Sequence, residues 1–104
     1  MEILPDKDIQ LILSKALGKW GINPNADICI EEMGELIQAL IKARRRPRPK
    51  DWLKNLYEEL ADVQLCLWAM IIAFDGESVM ETYIKQKAER LEETIEAENN
   101  SKEK

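Results

Sequence analysis

The stretch IEEMGELIQAL, residues 30–40, reads as a helix made for a protein interior, yet Glu31, Glu32 and Glu35 interrupt it. What packs around such an apolar rod decides the fold, and what its acids face decides the chemistry. Upstream, Asn23 followed by Pro24 is a helix-start signal, a capping side chain ahead of a ring that fixes φ at the first helical position. Downstream, Pro47 and Pro49 in RRPRP close the helix at about Arg45, because proline has no amide hydrogen for the ladder and biases the residue before it toward extended backbone.

The rest of the chain supplies three partners for this helix. From Lys7 to Lys19, Ile9, Ile12, Leu13, Ala16 and Leu17 recur at three- and four-residue spacing, with Gly18 and Gly21 around the stop. Asp51 is placed to cap a third helix over Trp52 to Phe74. Its stripe of Leu53, Leu56, Tyr57, Leu60, Val63 and Leu67 broadens to all faces in LCLWAMIIAF, residues 65–74, so this end is expected to be covered on every side. Asp75-Gly76 breaks the pattern. A fourth helix follows from Glu77 to about Glu96, with Val79, Met80, Tyr83, Ile84, Ala88, Leu91 and Ile95 on its apolar face. The polar tail from Ala97, AENNSKEK, is expected to fray. The expectation is an all-α four-helix bundle with a single domain over residues 1–98 and a disordered tail over 99–104, oligomerising through its apolar helices.

Composition agrees with this and excludes several function classes. A chain of 104 residues has room for one core, and 45% hydrophobic with 34% charged residues is a helical globular profile. A formal net charge of −5 argues against broad nucleic-acid binding, which needs a surplus of Lys and Arg on some face. The one basic cluster, KARRRPRPK at residues 42–50, is read either as a grip for phosphate or an acidic partner or, the favoured reading, as cations complementing the carbonyl end of helix two. With no His, imidazole-based acid–base chemistry and zinc sites are excluded, as is a Glu-x-x-His di-iron bundle. Cys29 and Cys66 sit in apolar patterns and read as buried thiols of a reducing compartment. The N-terminus lacks the basic-then-apolar order of a signal peptide, and the longest apolar run is too short to span a bilayer. A cytoplasmic protein with no membrane partner is expected.

The acids carry the chemistry. Glu32 and Glu35 are three residues apart, which places them on one helix face, and Glu59 and Asp62 repeat the spacing on helix three. Apolar neighbours put both pairs at the margin of the core. If the two helices pack side by side, four carboxylates converge. Two like charges about 6 Å apart at an effective dielectric near 20 repel by roughly 3 kcal/mol, so something positive must compensate. Few Lys or Arg lie near either pair. Oxygen ligands without nitrogen or sulfur suit Mg²⁺, with Mn²⁺ as a substitute, and magnesium usually binds together with phosphates. Glu31 and Glu58 point about 100° away from the pairs and are candidates for a lesser role.

EEMGE at residues 31–35 followed by ELAD at residues 59–62 resembles the EExxE and ExxD signature of the all-α nucleoside triphosphate pyrophosphohydrolases. This MazG-like superfamily includes dimeric dUTPases and phosphoribosyl-ATP pyrophosphohydrolases. The similarity runs from KWGINPNADICIEEMGELIQAL through EELADVQLCL to KQKAERL. The resemblance implies a homodimer or homotetramer that cleaves a nucleoside triphosphate between the α and β phosphorus atoms, with Glu32, Glu35, Glu59 and Asp62 as catalytic metal ligands and Glu31 as a weaker one. It also implies phosphate contacts from Lys87 and Arg90, with Lys85 as a third option, although Leu91 stands where the family often has Asn. Trp20, at a helix end, is a candidate to stack on a base. The alternative is a non-catalytic helical module that binds nucleotide or protein and retains the acids.

Overall fold

The computed structural model describes residues 1–103 and is helical throughout its regular structure: α1 Lys7–Trp20, α2 Ile22–Arg44, α3 Trp52–Ala73 and α4 Glu77–Glu103. Two boundaries differ from the sequence reading. Helix α2 begins at Ile22, directly after Gly21, so Asn23 and Pro24 lie inside its first turn and Asn23 is not the cap. Pro24 is tolerated there because the first four amides of a helix have no intrahelical acceptor. Helix α4 runs to Glu103, past the end near Glu96 that the apolar pattern predicts, and Lys104 lies outside the described residues.

The α1–α2 corner rests on two residues. Gly21 holds φ 86°, a left-handed value that side-chain-bearing residues rarely adopt, and its amide donates to the Leu17 carbonyl at 2.8 Å. Asn25 is buried, and its Nδ2 donates to the carbonyls of Gly21 at 2.7 Å and Ala16 at 3.3 Å. One side chain thus ties an α1 carbonyl, that of Ala16, to the carbonyl of the junction residue Gly21 and fixes the angle at which α2 leaves.

The α2–α3 connector shows what the basic run does. Arg48 Nε donates to the Ala43 carbonyl at 2.8 Å, and Arg46 Nη1 to the carbonyls of Ala43 and Arg45 at 3.3 and 3.1 Å. These cations cap the carbonyl end of α2, as the sequence suggested. The Arg48 guanidinium also lies 4.1 Å from the centre of the Trp52 ring. Asp51 occupies the position before α3, but no side-chain bond from it caps the helix.

Helices α2 and α3 form the main hairpin, and α1 packs against both. Their interface is built from small side chains: Cys29 and Ala39 on α2, and Val63, Cys66 and Ala69 on α3, are buried. Small residues allow the helix axes to approach closely. Both cysteines are free and buried, as expected, and burial beside Cys29 pushes the Cys66 thiol up to about 12. Leu13 of α1 and Ile3 of the N-terminal segment complete the core. Trp68 Nε1 donates to the Ile3 carbonyl at 3.0 Å and straps that segment to α3.

Large apolar side chains, by contrast, remain open. Leu65, Leu67 and Phe74 are exposed, so the end of α3 is not covered on every side within one chain. Helix α4 meets only α3 among the helices, and every residue from Thr82 to Ser101 is exposed. Among the described residues no helix is long and apolar enough to cross a membrane.

Candidate metal centre

The α2–α3 hairpin brings the two acidic pairs together. Glu32 faces Asp62, and Glu35 faces Glu59. Three steps forward on α2 thus match three steps back on α3, which is the register of an antiparallel pair. One carboxylate oxygen from each of Glu32, Glu59 and Asp62 lies within 4.8 Å of the other two. Glu35 joins from the exposed side through Glu59. Glu31 is exposed and lies outside this cluster. Glu58 is turned to solvent, where it pairs with Lys54 at 3.2 Å.

The environment of the cluster is electrostatically unbalanced. Glu32 Oε2 and Glu59 Oε2 are buried and have no hydrogen-bond partner. Burial pushes the Glu32 carboxyl above its ordinary value, and the charges of Glu35, Asp62 and Glu59 push it further. Burial also raises Glu59 first, followed by Glu35, Asp62 and Glu58. The ion pairs among the described residues, Met1–Glu81, Lys54–Glu58 and Lys85–Glu81, leave the four acids without a basic partner. Orphaned carboxylate oxygens that converge without a cationic side chain are the donor set of a hard divalent ion. The residues present therefore fit Mg²⁺ or Mn²⁺.

Beside the carboxylates opens a cavity of about 190 Å³. Glu32 and Asp62 form its acidic edge, and Leu13, Ile28, Leu65 and Ala69 supply apolar walls. The sequence places Ile28 beside the first acidic pair, Leu13 in the α1 stripe and Leu65 in the apolar run of α3, but reads them as packing and not as part of the site. Ile28 lies one turn before Glu32, and Leu65 one turn after Asp62, on the same helix faces.

The candidates outside the hairpin are not joined to it. Lys87 and Arg90 are exposed on α4, which does not pack against α2. Lys85 pairs with Glu81 at 3.2 Å. Trp20 is 55% exposed at the end of α1, with the Lys19 ammonium 5.3 Å from its ring centre. Comparison with protein-family models, with curated proteins and with solved structures found no match, so the likeness of the two acidic motifs to the pyrophosphohydrolase signature stands on these residues and their arrangement.

Proposed function

We propose that this chain is a Mg²⁺-dependent nucleoside triphosphate pyrophosphohydrolase, releasing a nucleoside monophosphate and pyrophosphate. The observation that carries the reading is the convergence of Glu32, Glu59 and Asp62 within 4.8 Å, with two buried oxygens that have no partner. In this reading Glu32, Glu59 and Asp62 hold the ion, and Glu35 completes the set from the open side. A bound divalent cation supplies positive charge to phosphate oxygens that no side chain of the cluster can neutralise. Through the ion the carboxylates would orient the phosphates, and a carboxylate oxygen not taken up by the ion would accept the proton of the attacking water. The cavity of about 190 Å³ next to the acids, with its walls of Leu13, Ile28, Leu65 and Ala69, would receive the base of the nucleotide.

The same reading includes a homo-oligomer, dimer or tetramer. Ile30, Met33, Ile37 and Ile41 form a second apolar stripe on α2, to one side of its buried face, and Leu53, Leu60 and Leu67 form another on α3. All seven are exposed in the single chain, an arrangement that a second copy would relieve.

The test is a panel of nucleoside triphosphates, modified bases included, with Mg²⁺ or Mn²⁺. At least one releases pyrophosphate, and Glu35→Gln and Asp62→Asn abolish the release. Binding of nucleotide or cation without turnover across the panel would favour the non-catalytic module instead.

A further inference from the structure

Helix α4 is 27 residues long and spans about 40 Å, yet every residue from Thr82 to Ser101 is exposed, and among the described residues α4 meets no helix but α3. It nevertheless carries an apolar seam. Ile84, Ala88, Leu91 and Ile95 are spaced four, three and four residues apart, the alternation of a coiled-coil core. Leu91 is 61% and Ile95 51% exposed. A purely solvated helix has no use for such a seam.

The charges flanking the seam indicate what covers it. Lys87 borders one edge and Glu92 the other. Within α4, the residues three and four positions from Lys87 are Tyr83, Ile84, Arg90 and Leu91, so none is acidic. The corresponding neighbours of Glu92 are Ala88, Glu89, Ile95 and Glu96, none basic. Neither residue forms an ion pair among the described residues. Each therefore faces repulsion inside its own helix and attraction only from outside it. In a parallel pair of identical helices, the flank of one lies against the opposite flank of the other. A charge at the first flank then meets the partner's residue five positions further on. Lys87 and Glu92 have that spacing. An antiparallel pair would instead set Lys85 against Glu92, but Lys85 already pairs with Glu81 at 3.2 Å.

We propose that α4 pairs in parallel and in register with α4 of a second copy of this chain, closing the Ile84–Ala88–Leu91–Ile95 seam and joining Lys87 of each copy to Glu92 of the other. The pairing does not depend on the hydrolase reading; at its N-terminal end the seam adjoins the α3 stripe, where Ile84 and Leu67 line one cavity.

Crosslinking of the full chain tests it irrespective of overall oligomeric state. In-register pairing sets residue 91 against its own counterpart, so Leu91→Cys oxidised with glutathione disulfide forms an interchain dimer on a non-reducing gel. Glu89→Cys, on the opposite side of α4, serves as the control and forms little. Lys87→Glu added to Leu91→Cys slows dimer formation about tenfold, the order expected for two reversed flanking pairs. Adding Glu92→Lys as well restores the rate. Equal crosslinking at positions 89 and 91 would overturn the proposal, as would failure of the charge swap to restore the rate.

Discussion

Glu32 on α2 faces Asp62 on α3 across the hairpin, while Glu32 Oε2 is buried without a hydrogen-bond partner. Two carboxylates opposed at the edge of a core disfavour the folded state unless one is protonated or a cation lies between them. That conflict makes stability, pH and cation binding three views of one site.

The sign of the pH effect follows from the upward shifts of Glu32 and Glu59, both from an ordinary value of 4.5. Their contribution to stability is fully present below 4.5 and is lost as pH rises through the higher folded-state values. The cation-free protein is therefore expected to melt at a lower temperature near neutral pH than at about pH 5, and Mg²⁺ or Mn²⁺ to raise the melting temperature more at neutral pH. Glu81, held low by Lys85, acts in the opposite sense, so the clean comparison is with Glu32→Gln. That variant should melt a few degrees higher than the parent without cation at neutral pH, and should lose the cation-induced rise. Calorimetry checks both, and an undiminished cation response in Glu32→Gln would contradict the assignment.

Gly21→Ala tests the corner between α1 and α2. No atom lies within 4 Å of the added Cβ, so the effect isolates the left-handed backbone at φ 86°. A destabilisation of about 1–2 kcal/mol is expected in urea titration, with the slope of the transition unchanged.

Asn25 contributes through donation, and the choice of substitution shows it. Asn25→Asp keeps the shape but replaces the donating Nδ2 by an acceptor aimed at the Gly21 and Ala16 carbonyls. It should be more destabilising at neutral pH than Asn25→Ala, which is expected to cost about 1–3 kcal/mol. Urea titration of the two variants side by side decides the order.

Much of this arrangement was legible in the sequence, for definite reasons. The helices announce themselves through three- and four-residue apolar spacing, and the Pro47–Pro49 connector separates α2 from α3. The paired acids follow from one spacing on each helix, since an antiparallel hairpin brings the two faces together. Asn23–Pro24 misled about the start of α2, because Gly21 and the buried Asn25 form the corner instead. The helical continuation past Glu96 is not legible, since the sequence there is polar and residues 97–101 are exposed, leaving no apolar pattern to read. The stripes on α2, α3 and α4 read as core, but one chain does not bury them. Periodicity reports that a face is apolar without saying which molecule covers it.

In the proposed hydrolase, the carboxylates of α2 and α3 serve cleavage between the α and β phosphates. Phosphorus NMR of the products formed from a nucleoside triphosphate panel with Mg²⁺, in the parent chain and in Glu59→Gln, tests it most directly. Pyrophosphate and nucleoside monophosphate are expected from at least one substrate with the parent chain, and none with Glu59→Gln. Inorganic phosphate with nucleoside diphosphate, or equal turnover in the variant, would contradict it.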